Sequence, residues 1–278
     1  MTPLRDGAGS AWAGELRAQA ALLVRAAKTA FTYKPALLLS MLTVAIGYAV
    51  PLLVWRHVYR VRSEPLAVPE SQLFPYLLLA AALNFMFFMG VETRVGQRIR
   101  MGLIATDLLR PVDFQLTQLT QSLAELLLNL AVVLPFVALA YALWGSAALP
   151  ASPTALLAFV PSLVCAFLIQ FALSFIFVQT AFVTFSNYGV FVARNALQQT
   201  FAGISAPLAL FPGSLRAVAE YLPFCHAIHT PVSIYLGSIS GGALGRALLV
   251  QGAWALGLLV LGRALLRWSL LHLEIQGG

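Results

Sequence analysis

The stretch from Glu92 to Asp113 reads ETRVGQRIRMGLIATDLLRPVD and is the main polar interruption in an otherwise very apolar chain. Its first half is rich in arginine, its second half is apolar, and Pro111 prevents one helix from continuing through it. This pattern predicts a short amphipathic helix over residues 94–110 that lies at a membrane surface. The outer face of such a helix would be open to a soluble partner.

The rest of the chain has the composition of an integral membrane protein. Hydrophobic residues make up 60% of the 278 positions and charged residues only 10%, and the mean hydropathy is +0.85. One soluble domain of this length could not bury so much apolar surface. Because a bilayer-crossing helix needs roughly 20 apolar residues, the uncharged runs predict an all-α protein with six spans, at residues 35–56, 72–91, 116–144, 154–185, 195–211 and 243–266.

The distribution of Lys and Arg predicts the orientation of these spans. The termini and the even-numbered loops hold most of the 17 cations, and cations are retained on the cytoplasmic side. We therefore expect a multi-pass membrane protein with both termini in the cytoplasm. The net charge of +7 then reflects topology and attraction to anionic membrane lipid, and no nucleic-acid-binding motif is present.

Two further segments of this single domain, residues 1–278, have a predicted place at the membrane. Wound as a helix, residues 11–33 place apolar side chains on one face and basic side chains on another. This pattern predicts an interfacial helix on the inner leaflet. Residues 212–237 are apolar but contain several prolines, so one continuous helix is excluded. We expect short re-entrant helices there, which are tolerated only when buried in protein or lining a cavity.

A polar stripe crosses the predicted third span. Gln118, Ser122, Glu125 and Asn129 are spaced by four, three and four residues and share one helical face. A carboxylate within a span is a functional candidate, for example as a proton or ion site. Equally, Glu125 could form a structural ion pair with an arginine such as Arg194 or Arg110.

Motifs for chemistry are nearly absent. The sequence has no Gly-x-x-x-x-Gly-Lys-Ser/Thr, His-Glu-x-x-His or Gly-x-Ser-x-Gly. We therefore expect that this chain neither binds ATP nor catalyses a reaction. Cys225, His226 and His229, with Glu220 nearby, could bind a metal, but packing explains them better. We expect no metal site and no disulfide between Cys165 and Cys225.

Two motifs, one after the predicted second span and one before the predicted sixth span, resemble those of a known family. Gly-x-Leu-x-x-x-Leu-Leu-Arg-Pro spans Gly102 to Pro111, and Phe-Pro-Gly, Leu-Pro-Phe and Pro-Val follow between Phe211 and Gly237. Together with the six spans and the N-terminal amphipathic helix, they resemble the permease subunit of type-2 ABC exporters, over essentially the whole chain.

The resemblance implies a half-transporter of the bacterial cytoplasmic (inner) membrane that is moved by a separate ATPase. Residues on or beside a coupling helix would then be Arg94, Arg98, Arg100, Gly102, Asp107, Leu109, Arg110 and Pro111. An external re-entrant segment would include Phe211, Pro212, Gly213, Pro223, Phe224, Pro231 and Gly237. The implied partners are two copies of an ABC ATPase, which hold ATP and Mg, and a second permease, identical or paralogous.

Two other functions remain open at this point. A gradient-driven transporter could use Glu125 as its ion site, and an intramembrane enzyme, the less favoured alternative, would need convergent polar groups at one depth. For an exporter, the cargo implied by a mostly apolar pathway is amphipathic or lipid-like: a drug, an antibiotic, a lipid or a glycan precursor.

Overall fold

A computed structural model describes residues 34–62, 64–109, 112–144, 149–181 and 188–271, and these residues form helices and no strand. The predicted interfacial helix at residues 11–33 lies outside them. In chain order the helices are α1 (Lys34–Val61), α2 (Glu70–Met86), α3 (Val91–Arg100), α4 (Ile104–Leu108), α5 (Phe114–Trp144), α6 (Pro153–Gln179), α7 (Tyr188–Phe201), α8 (Gly213–Tyr221), α9 (Pro223–Ala227), α10 (His229–Tyr235) and α11 (Gly242–Leu271).

Within the described residues, five helical stretches are long and apolar enough to cross a membrane. They are Met41–Val61, Glu70–Arg100, Phe114–Ala138, Pro153–Gln179 and Gly242–Leu270. The second stretch is interrupted between Phe87 and Gly90, where α2 ends and α3 begins. All-helical membrane architecture is thus confirmed, and the six-span topology stays a prediction.

The helix expected at residues 195–211 has different bounds. Helix α7 begins at Tyr188 and ends at Phe201, because Gly203 adopts a φ of 73° and the chain then runs through Pro207 into a short 3-10 turn. Its 14 residues span about 21 Å, which is less than the roughly 30 Å of a hydrocarbon core. The prediction of a helix reaching residue 211 was wrong, because the apolar run continues where the backbone turns.

The other long helices begin within two residues of their predicted starts, but their ends differ from the predicted ends by five or six residues in every case except α5. Helix α1 continues to Val61, so Arg56 and Arg60 lie on a helix and not in a loop. Helix α6 ends at Gln179, although the apolar run had suggested a helix to residue 185.

Helix α6 is the centre of the bundle. It packs against α11 and also against α3, α9 and α10, and Phe171 and Phe175 on it are fully buried. Their rings stack with centroids 5.6 Å apart. Helix α1, in contrast, exposes a stripe of large apolar residues that suits contact with lipid, among them Ile46, Val50 and Leu53.

The predicted amphipathic helix at residues 94–110 is two helices, α3 and α4, and the single-helix prediction was wrong. A turn at Met101–Leu103 separates them, and Gly102 at its centre has a φ of 69°. This left-handed conformation is open to glycine at little cost. We call residues 91–109 the charged turn.

Candidate functional site

The break between α2 and α3 is closed by a side chain from another helix. Asn129 on α5 directs its Nδ2 to the carbonyl oxygen of Phe88 at 2.8 Å, and to those of Phe85 and Met86 at 3.3 Å. These carbonyls lie at the end of α2, where intrahelical partners run out. Backbone groups without partners are costly inside a membrane, so Asn129 stabilises the interruption.

Glu125, one turn before Asn129, closes the other side of the break. Its Oε2 accepts a hydrogen bond from the Gly90 backbone N–H at 2.9 Å, and its Oε1 forms an ion pair with Arg94. The carboxylate thus lies at the N-terminus of α3, where the helix dipole favours a negative charge. The structural pairing considered for Glu125 is present, and its partner is Arg94. Of the two arginines suggested from the sequence, Arg194 pairs elsewhere and Arg110 lies outside the described residues.

Arg194 instead pairs with Glu92. Its Nε lies 2.7 Å from Glu92 Oε1, and both side chains are only 4% exposed. The pair joins α3 to α7 inside the bundle. Sequence reasoning missed it, because Glu92 belongs to the polar stretch that was expected at the membrane surface and not in the interior.

The remaining two residues of the polar stripe, Gln118 and Ser122, are buried on α5. Among the described residues, neither Gln118 Oε1 nor Ser122 Oγ has a hydrogen-bond partner. Of the four stripe residues, Glu125 and Asn129 therefore bond to the backbone at the α2–α3 break, while Gln118 and Ser122 are polar side chains buried on α5.

The charged turn is held in shape by a bidentate ion pair. Arg98 on α3 contacts both carboxylate oxygens of Asp107 on α4, with Nη2 2.7 Å from Oδ1. This arrangement leaves an exposed surface on the turn, made by Arg100, Met101, Leu103 and the 84% exposed Leu109. The predicted residues Arg110 and Pro111 lie outside the described residues.

The same end of the bundle is tied to α11. Asp113 Oδ1 accepts the Leu116 N–H at 2.8 Å at the start of α5, and Asp113 also pairs with Arg263. In addition, Gln115 donates to the Leu259 carbonyl and Gln179 to the Gly262 carbonyl, both at 3.0 Å. We call this end, from the α2–α3 break to Asp113 with its partners, the charged end.

At the opposite end, residues 202–241 form the looped end, and here neutral groups make the described contacts between helices. Tyr76 Oη lies 2.7 Å from the Gly203 carbonyl oxygen and 2.9 Å from His229 Nδ1. Because a carbonyl only accepts, the single hydroxyl proton goes to Gly203, and a protonated Nδ1 donates to Tyr76. The Nε2 atom of the neutral ring is then an acceptor, 3.4 Å from Ser233 Oγ.

The residues predicted for the re-entrant segment mark the ends of its short helices. Pro212 and Gly213 begin α8, Pro223 and the buried Phe224 begin α9, and Pro231 lies on α10, while Phe211 is partly buried just before α8. Gly237 follows α10 with a φ of 76°, and a Cβ there would lie 2.6 Å from Ala151 Cβ. Only glycine fits this close approach between the looped end and the loop before α6.

The cysteine and histidine residues of the looped end have separate partners. Cys225 Sγ donates to the Leu222 carbonyl at 3.3 Å, and His226 Nδ1 bonds to Thr230 Oγ1 at 3.1 Å. Burial raises the pKa of Cys225 to about 12 and lowers the pKa of His229 to about 4. No three His, Cys, Asp or Glu side chains of the described residues come together in a geometry for a metal ion.

A buried amide joins the looped end to the helical core. Gln251 on α11 is fully buried, accepts from Ser162 Oγ at 2.8 Å and donates to the His226 carbonyl at 2.7 Å. It therefore links α6, α9 and α11. This role could not be predicted from the sequence, because a single Gln in an apolar helix forms no polar pattern with other residues.

Comparison with known protein families connects this architecture to transport. A family model described as ABC-2 family transporter protein matches residues 71–277, which is most of the chain. The chain belongs to this family. Comparisons with curated proteins and with solved structures gave no match.

Membership in the ABC-2 family confirms the resemblance and gives the chain a general role. ABC-2 proteins of this type are permease components of ABC exporters, typically the non-catalytic transport subunit, and the family implies association with an ABC ATPase. The apolar helices agree with a membrane location.

Proposed function

We propose that this ABC-2 permease forms half of the translocation pathway of an ATP-driven exporter and couples to a separate ATPase through its charged turn. The observation that carries the proposal is the exposed surface of that turn. Arg100, Met101, Leu103 and Leu109 combine a cation with apolar side chains, as protein interfaces do.

The connections of the turn to the bundle support a mechanical role. Arg98 and Asp107 fix α3 against α4, while Glu92 and Arg194 fix α3 against α7. A partner that pushes on the turn would therefore move two helices together. Motion at the ATPase would reach the bundle through ion pairs and not through a flexible loop.

The remaining parts of the proposal follow from the family and the charge distribution. ATP and Mg belong to two partner ATPase subunits, and a second permease, identical or paralogous, completes the pathway. The charged turn and both termini face the cytoplasm of a bacterium, the looped end faces outward, and the cargo is amphipathic or lipid-like.

The observed contacts of Glu125 favour this proposal over a gradient-driven carrier. Its carboxylate is engaged by Arg94 and by the Gly90 N–H at the start of α3. A proton or ion site would have to break both contacts in every cycle. No specific observation favours an enzyme, so we advance neither alternative.

Site-specific cross-linking tests the coupling. A photo-reactive residue at Leu109, in native membranes, should cross-link to an ABC ATPase identified by mass spectrometry, and more strongly when a non-hydrolysable ATP analogue is added. The same residue at Tyr221, 82% exposed at the looped end, is the matched control and should not capture it.

A second arm measures function. Arg100→Glu together with Leu109→Asp should reduce cargo-dependent ATP hydrolysis at least tenfold while membrane insertion is unchanged. Capture from position 221 but not from 109, or full hydrolysis by the double variant, would refute the proposed surface. Transport that persists without ATP and is lost in Glu125→Gln would support the gradient-driven carrier instead.

A further inference from the structure

A cavity at the looped end has no part in the proposed coupling. Its volume is about 640 Å³, and it lies between α2, α8, α10 and the loop before α6. Small-molecule sites typically measure about 300–1,000 Å³. The cavity has both apolar walls, including Val68, Pro75 and Leu236, and a polar wall with Gln72 and Ser233.

One pair of opposite charges lines this cavity. Arg216 and Glu220 are one turn apart on α8, with Nε and Oε1 separated by 2.7 Å, and each side chain is 50% exposed. Two other titratable groups lie on the wall: Tyr76, whose neutral hydroxyl is bonded to Gly203 and His229, and His229, which is neutral above pH 5 because burial lowers its pKa to about 4. Among the described residues, the cavity wall therefore carries one cation, one anion and no net charge.

This charge arrangement selects for a particular ligand. A singly charged ligand can pair with only one member of Arg216–Glu220, so it gains a single intermolecular ion pair and leaves the other side chain to water. A zwitterion with a phosphate and an ammonium group can replace one internal pair by two intermolecular pairs. The half-exposed pair itself contributes little to stability, so its rearrangement costs little.

The surroundings of the pair indicate a lipid as the source of this zwitterion. Helix α8 also exposes Val218 and Tyr221, at 52% and 82%. Apolar and tyrosine side chains next to charges are typical of helices at the level of lipid headgroups. The apolar walls of the cavity could then receive the first carbons of the acyl chains.

We propose that this cavity binds the headgroup of a phosphatidylethanolamine-type phospholipid, with Arg216 on the phosphodiester and Glu220 on the primary ammonium. Gln72 and Ser233 are close enough to the cavity to add hydrogen bonds. The site is a property of this chain alone and does not depend on the coupling to an ATPase.

Native mass spectrometry of the full chain in detergent tests the site. With equal amounts of phosphatidylethanolamine, phosphatidylcholine and phosphatidylglycerol, we expect one bound phosphatidylethanolamine per chain and at least fivefold preference over the others. Phosphatidylcholine binds less because its quaternary ammonium has no N–H to donate to Glu220. Phosphatidylglycerol has no cationic group for Glu220.

Three variants and one control separate the contributions. Arg216→Gln should weaken phosphatidylethanolamine binding about tenfold, as expected for one charge-assisted hydrogen bond. Glu220→Gln should abolish the preference over phosphatidylcholine and increase binding of phosphatidylglycerol. Ala209→Trp should block the cavity without a change of charge. Arg246→Gln removes an exposed cation at the start of α11 and should change nothing.

Two results would overturn the proposal. One is equal binding of the three lipids, unaffected by Arg216→Gln and Glu220→Gln in variants that keep the wild-type unfolding temperature. The other is displacement of the lipid by soluble glycerophosphoethanolamine at equal concentration, which would assign the cavity to a water-soluble zwitterion.

Discussion

At the charged end, ion pairs between side chains join the helices in addition to neutral contacts such as that of Asn129, whereas at the looped end the described contacts between helices are made by neutral side chains. Glu92–Arg194 and Glu125–Arg94 represent the first type, and Tyr76–Gly203 and Gln251–His226 the second. Both ends contain backbone that is not helical. The difference lies in whether pairs of opposite charge take part in joining the helices.

This difference has physical consequences for each end. An ion pair depends on both partners, because one partner alone is a buried charge. A neutral contact depends on close approach, because the side chain must reach a particular carbonyl. The charged end should therefore be sensitive to the loss of one charge, and the looped end to the addition of one carbon atom.

The largest expected effect is at Glu92 and Arg194. Replacing either one by Met should destabilise the protein by about 3–5 kcal/mol, because the other charge remains buried without its partner. The double variant should recover most of that loss. Unfolding in mixed detergent and dodecyl sulfate measures these changes.

Arg216→Met, at the half-exposed pair on α8, is the control for the charged end and should cost less than about 1 kcal/mol. If the double variant at Glu92 and Arg194 is as unstable as the sum of the two single variants, the pair does not act as a unit.

The next effect compares two glycines with positive φ. Alanine in a left-handed conformation costs about 1–2 kcal/mol, and Gly102→Ala should cost this much, because no atom lies within 4 Å of its added Cβ. Gly203→Ala should cost roughly 1–3 kcal/mol more, because its Cβ would lie 2.7 Å from Tyr76 Oη.

Tyr76→Phe provides the check on this comparison. In the Gly203→Ala background it removes the oxygen that the new methyl group meets, so part of the loss should be recovered. In the wild-type background it should destabilise, because the Gly203 carbonyl loses its donor. Equal unfolding midpoints for the two alanine variants would argue against close packing at the looped end.

The last effect, which appears only as the pH is lowered, is the pH dependence contributed by His229. Its pKa is lowered from 6.5 to about 4, mainly by burial and further by the charge on Arg216 and the nearby His226, while Glu220 opposes the shift. Between pH 4 and pH 6.5, the unfolded chain therefore binds more protons than the folded chain does. This contribution to stability is complete above pH 6.5 and declines as the pH falls, by about 2 kcal/mol at pH 4.5.

His229→Gln tests the sign of this effect. Its side chain does not titrate, so the variant should lose less stability than the wild type between pH 6.5 and pH 4.5. The buried His226, whose pKa burial also lowers, leaves a residual slope in both proteins. A wild-type unfolding temperature that rises toward pH 4.5 relative to the variant would contradict the assignment.

Composition and run length were enough to predict a helical membrane protein, because burial of so many apolar residues has few other solutions. Helical spacing also placed Gln118, Ser122, Glu125 and Asn129 on one face of α5. The partners of Glu125 and Asn129 could not be predicted, because they lie 31 to 44 residues away on another helix. Such pairing is decided by tertiary packing.

Turns inside apolar runs were the other feature that the sequence did not predict. The sequence near Gly203 stays apolar, so the length of the apolar run predicted a helix through a position where the backbone turns. At Gly102 the glycine was noted within a motif, yet charge pattern alone favoured one helix. The Arg98–Asp107 pair that closes this turn is visible only once α3 and α4 are folded against each other.

Helix α11, the last described element, has a consequence for biogenesis. Ser162, Gln115 and Gln179 all belong to earlier helices, yet each makes a hydrogen bond to α11, at Gln251, Leu259 and Gly262 respectively. During synthesis these side chains enter the membrane before their partners exist. Final assembly must therefore wait until α11 has left the ribosome, and a nascent chain that stops before Gln251 leaves polar groups open to quality-control proteases.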